Sequence, residues 1–289
     1  MSEPYRYLLL FFCASVLATG TALAAEKIEF PSGWKSPMGS KGTVLEATRR
    51  IFPDANLNRE NNLVLARDKM LRMPGTSKQR AALPSGTKLT EPWKSLTVRS
   101  QGKTYAILLL DGLRPEITEG GWDYEVAVLA VFPQGEIDPT DVAEVKQDRF
   151  TSLGEVLNLG SEDAFVVSNS HSNSEQSYAL TDLFHLRDGR LRRIVGSLFT
   201  LNINGGGCVS RSVENLSWRT IPDGVSPPRI IATIELIHTP TDFTDGCPAK
   251  DKPRNELFRN SYRWNTIKGH YLDERGNFGR LSKWNERNS

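Results

Sequence analysis

Residues 180–198 read LTDLFHLRDGRLRRIVGSL, two runs of mixed apolar and polar residues on either side of Asp188-Gly189. A two-residue hairpin turn of the favoured hand needs positive φ at both central positions, and Asp-Gly supplies it. The stretch therefore predicts a β-hairpin spanning Tyr178 to Leu201. Working outward, YAILLL (Tyr105 to Leu110) and YEVAVLAVF (Tyr124 to Phe132) are short continuous apolar runs bounded by Gly, Pro or Asp, as buried strands are. Further strands are expected at Ala164 to Ser168, Ser212 to Trp218, Arg229 to His238 and Tyr262 to Ile267.

Helical periodicity is scarce beyond Pro92, so the fold class is mainly β. An antiparallel meander is expected to form a sandwich or an incomplete propeller-like stack. A weak internal echo, Tyr124 to Gly135 and Tyr178 to Gly189 with equal spacing, suggests the stack. Before Pro92, TVLEATRRIF (Thr43 to Phe52) places apolar residues at steps of three and four and is stopped by Pro53, which predicts one short amphipathic helix. Asp54 to Pro92 reads as irregular, with one short strand or helix. The expected organisation is thus a leader over 1–24, a basic helical and irregular segment over 25–92, and an antiparallel β domain over 93–289.

The leader expectation rests on MSEPYRYLLLFFCASVLATGTALA, where Arg6 precedes an apolar run from Leu8 to Leu17 and Ala22-Leu23-Ala24 ends it in the small-x-small pattern of a cleaved signal peptide. Export to a periplasmic or extracellular space follows, with no transmembrane segment after cleavage. Of the three cysteines, Cys208 and Cys247 would remain, and an exported pair without metal or redox spacing reads as a disulfide. Closing a loop of about 40 residues, it would contribute roughly 4 kcal/mol in the chain-entropy model.

The formal net charge of +2 conceals segregation. From Trp34 to Lys103 there are 14 Lys/Arg against 5 Asp/Glu, and from Thr104 to Pro248 there are 10 against 21. Such blocks attract one another within one fold. Nucleic acid is not an expected partner, because the basic residues are not interleaved with stacking aromatics.

Motifs with their own chemistry are missing from the sequence: it holds no His-Glu-x-x-His, Gly-x-Ser-x-Gly, P-loop or EF-hand pattern. No catalytic set, metal ligands or cofactor are assigned. The polar stretch SNSHSNSEQSY (Ser168 to Tyr178) is the leading candidate, read as a loop over Asn169 to Gln176. Its Ser and Asn side chains can knit a turn through backbone hydrogen bonds. Alternatively Asn169, His171, Asn173, Glu175 and Gln176 form a binding surface, with Glu175 tuning the imidazole. The function expected from these features is a non-catalytic exported binding or interaction protein with an unidentified envelope or extracellular partner. The alternative is a hydrolase of an envelope polymer using His171 or Glu175 as acid or base.

Overall fold

The computed structural model describes residues 33–74, 80–92, 94–115, 125–205, 210–224, 227–240, 252–274 and 276–288. The leader, Cys208 and Cys247 lie outside these residues, so the export signal and the disulfide remain expectations from sequence.

Two mostly antiparallel sheets make up the fold. The first comprises β1 (Asn56–Leu57), β2 (Leu63–Val64), β3 (Lys69–Arg72), β4 (Arg80–Leu83), β5 (Lys88–Leu89), β6 (Lys94–Ser100), β7 (Lys103–Leu113), β8 (Glu125–Pro133) and β9 (Asp141–Glu144). The second is an eight-stranded meander in chain order: β10 (Phe150–Asn158), β11 (Asp163–Ser172), β12 (Gln176–Arg187), β13 (Arg190–Ile203), β14 (Arg211–Ile221), β15 (Arg229–Thr239), β16 (Arg254–Asn265) and β17 (His270–Asp273). Helix α1 (Val44–Ile51) lies where the periodicity predicts it, and its first turn is closed by a capping box between Thr43 and Glu46. The expected hairpin is β12 with β13, turning through Asp188 at φ 53° and Gly189 at φ 68°.

The apolar runs of β7 and β8 are continuous because both faces of these strands are buried. Leu108, Leu110, Val128, Ala130 and Phe132 pack with Trp34, Val44, Ala47 and Ile51 around α1. Their neighbours Ile107, Leu109, Leu129 and Val131 point the other way and share a core with Leu153, Phe165, Val167 and Phe184 of the second sheet. This shared core joins the sheets face to face in a sandwich-like packing. Two smaller cores line the second sheet, one of them sealed by Leu281 of a C-terminal helix, α2 (Phe278–Asn288).

Several elements differ from the sequence expectation, and β6, β9, β10 and β17 answer to none of the expected strands. The segment from Asp54 to Pro92, read as irregular, contributes β1 to β5 to the first sheet, in strands of two to four residues. Strands this short carry too little alternation to be read locally. Helix α2 was not expected from the sequence; its apolar residues Phe278, Leu281 and Trp284 recur every third position and pack on the second sheet beside Phe258 of β16. The segregated charges do meet in the fold: Lys41 pairs with Glu136 at 2.6 Å, Arg99 with Asp163 at 2.8 Å, and Arg72 with Asp141.

Candidate functional site

The polar stretch is not an eight-residue loop. Asn169 to Ser172 continue β11 and Gln176 begins β12, leaving a turn of only Asn173 to Glu175. The Asn173 side-chain oxygen accepts from the Glu175 and Gln176 backbone N–H groups at 2.9 and 2.8 Å, and the Asn173 N–H donates to the Gln176 carbonyl at 2.9 Å. Ser and Asn here knit a turn. Asn173→Ala is expected to lower the unfolding free energy by about 1 kcal/mol, measured by urea denaturation.

Alternation along β11 decides the remaining residues. Phe165 and Val167 face the shared core, and Asn169 and His171 continue the same face. Asn169 is fully buried. Its Oδ1 accepts from the Gln147 N–H at 3.0 Å and the Thr151 hydroxyl at 2.7 Å, and its Nδ2 donates to the Val145 carbonyl at 3.3 Å. Asn169 thus clamps residues 145–151, the crossover from the first sheet to the second. The Gln147 side chain is held as well, donating to the buried Asp182 carboxylate and accepting from the Ser197 hydroxyl at 2.7 Å.

The clamped crossover presents its charged residues to a cavity of about 330 Å³, lined by Arg114, Glu144, Lys146, Asp148, Arg149 and His171. Of the residues expected at the site, only His171 reaches it. Asn169 lies behind it as the clamp, while Asn173, Glu175 and Gln176 sit in or beside the turn. The carboxylate beside the imidazole is Asp148, with Oδ1 3.4 Å from His171 Nδ1, and the exposed Glu175 does not fill that role. His171 lies directly opposite Tyr178 in the β11–β12 register, and their rings stack at 5.6 Å with planes 4° apart.

The two carboxyls of the cavity are driven in opposite directions. Burial pushes the Glu144 carboxyl above its usual range, and the nearby Arg114 and Lys146 only partly offset this. Arg114 donates to Glu144 Oε1 at 2.8 Å, while the buried Oε2 has no hydrogen-bond partner among the described residues. For Asp148, burial also pushes upward, but hydrogen bonds from the Tyr178 hydroxyl, the Arg149 backbone N–H and His171 outweigh it and hold the carboxyl below its usual range. Across the crossover, Lys146 donates to the Glu125 carbonyl at 2.8 Å, and the Glu125 carboxylate lies 3.7 Å from Lys146 and 4.0 Å from Arg149. Arg114, Lys146 and Arg149 thus share one cavity with Glu144 and Asp148, and Glu125 stands on the other side of Lys146 and Arg149.

A second polar cluster is closed to solvent. Ser212 and His238 are cross-strand partners on β14 and β15, Glu214 follows on the same face, and Trp284 and Asn285 of α2 cover them. The combination resembles a nucleophile, base and acid. The Ser212 hydroxyl, however, has no hydrogen-bond partner among the described residues. The aromatic residues Trp218, Tyr262, Trp264 and Trp284 are packing residues of the two smaller cores.

No family model matches the chain, no curated protein matches it, and no solved structure matches it. No group of three or more His, Cys, Asp or Glu side chains among the described residues could hold a metal ion. No helix among them is long and apolar enough to cross a membrane.

Proposed function

We propose that this chain is an exported binding protein of the cell envelope or extracellular space, and that its ligand site is the mixed-charge cavity at the sheet crossover. The observation that carries this reading is the buried, unpartnered Oε2 of Glu144, a residue that lines the same cavity as Arg114, Lys146 and Arg149. A buried polar atom left unpaired costs about 1–3 kcal/mol, and a ligand that donates to it recovers that cost. A simple anion satisfies the cations but is repelled by Glu144 and Asp148. Hydroxyl groups both donate and accept, so a polyhydroxylated, saccharide-like ligand fits both halves of the lining.

Thermal denaturation in the presence of neutral monosaccharides and their methyl glycosides tests the reading. The expected result is a concentration-dependent rise in Tm that disappears in the double variant Lys146→Gln/His171→Ala. No shift across the sugar panel overturns it.

A second reading, hydrolysis of a glycosidic envelope polymer, is favoured by one observation: the cavity holds one carboxyl raised by burial and one lowered by hydrogen bonds. Carboxyls driven apart in this way divide into a general acid and an ionised partner, here Glu144 and Asp148. Release of nitrophenol from nitrophenyl glycosides, abolished in both Glu144→Gln and Asp148→Asn, would select this reading over binding alone.

A further inference from the structure

A second cavity of about 430 Å³ abuts the first and is largely apolar, formed by Gly112, Leu113, Val126 and Phe150, with Lys146 and Arg149 common to both. Leu113 is 50% exposed and Phe150 54% exposed, unusual for large apolar side chains set side by side in one concavity. Gly112 lets β5 approach closely beside this cavity, because a Cβ there would collide with the Lys88 carbonyl. The Arg149 guanidinium lies 5.4 Å from the centre of the Phe150 ring, so one side chain marks the border between the polar and apolar compartments.

From this juxtaposition we propose that the protein binds a single-chain glycolipid-like amphiphile, its hydroxylated head in the Glu144 cavity and its alkyl chain on Leu113, Val126 and Phe150. The proposal rests on the reading of the Glu144 cavity as a site for a hydroxylated ligand. Charge complementarity fixes the orientation. The charged side chains concentrated in the Glu144 cavity favour the head there, and Leu113 and Phe150 favour the alkyl chain in the second cavity, whose polar lining is Thr90, Asp111, Glu125, Thr151 and Ser152. A strongly anionic head is disfavoured by Glu125, Glu144 and Asp148, all of which flank the shared border.

Calorimetric titration with octyl glucoside below its micelle concentration, compared with methyl glucoside and octyl sulfate, tests the proposal. Octyl glucoside is expected to bind at least about thirtyfold tighter than methyl glucoside, because burial of most of an eight-carbon chain is strongly favourable. Octyl sulfate is expected to bind more weakly than octyl glucoside. Leu113→Ser/Phe150→Ser, at two exposed positions, should reduce octyl glucoside affinity to the level of methyl glucoside while leaving the circular dichroism spectrum unchanged. Equal affinities for the two glucosides overturn the amphiphile and leave the polar site standing. Failure of both glucosides overturns the polar site and with it this proposal. Octyl sulfate binding as tightly as octyl glucoside overturns the hydroxylated head.

Discussion

Asn169→Ala is expected to lower the unfolding free energy by about 3 kcal/mol, the scale of leaving several buried partners unsatisfied at once. The substitution strips hydrogen bonds from the Gln147 N–H, the Thr151 hydroxyl and the Val145 carbonyl, all around a fully buried position. Water cannot replace them without opening the shared core between the sheets. Urea denaturation gives the stability change, and amide exchange locates it: the Gln147 N–H should lose protection beyond the global change. A loss well below 1 kcal/mol would mean that the crossover is held elsewhere. Lys146, Asp148 and Arg149 ride on this crossover, so the still-folded fraction of the variant should also bind ligand more weakly.

The second large effect is a loss of stability in acid that originates at His185. This side chain is 3% exposed, and its pKa is pushed down to about 4 from 6.5, first by burial and then by the positive charges of Arg187 and Arg192. Glu162 Oε2 is 3.8 Å from Nδ1, too far for a hydrogen bond, and burial pushes the Glu162 carboxyl upward, so it does little to hold an imidazolium. The unfolded chain takes up the proton near pH 6.5, whereas the folded chain does so only near 4. Between these values the unfolded state binds more protons, so stability falls as the pH falls. The contribution is complete above pH 6.5 and is lost on passing through about 4, and a shift of this size corresponds to roughly 3 kcal/mol. Glu144, Asp182 and Glu214 act in the opposite sense, since burial raises each of their pKa values and stability from them falls as the pH rises through the carboxylate range. Comparing urea midpoints of the wild type and His185→Gln at pH 7, 5 and 4 isolates the histidine. The wild type should lose its advantage across this range, and parallel curves would refute the assignment.

Much of the scaffold was legible locally because its signals act over a few residues. The Asp188-Gly189 turn needs only its own φ angles, and the capping box that starts α1 spans Thr43 to Glu46. The apolar runs of β7 and β8 announce burial on both faces whatever covers them. The candidate site was legible only at His171. Asn169 and His171 continue the inward face of β11, but polar side chains conceal that alternation from a reading based on hydrophobicity.

The sequence alone therefore determined the strand-rich antiparallel class, the β12–β13 hairpin and the first helix, since turn chemistry, capping and periodicity are properties of neighbouring residues. Tertiary structure decided what the polar residues do. It placed Asp148 against His171 from 23 residues away, put the buried Asn169 behind the crossover, and brought Arg114 to Glu144 from 30 residues away. It also recruited β1 to β5, whose own patterns are too short to specify them, through pairing supplied by the rest of the chain. Cavities, shifted carboxyls and an unpartnered buried oxygen exist only where distant segments meet. The site was consequently decided by packing between the sheets, a property that no single stretch of the sequence carries.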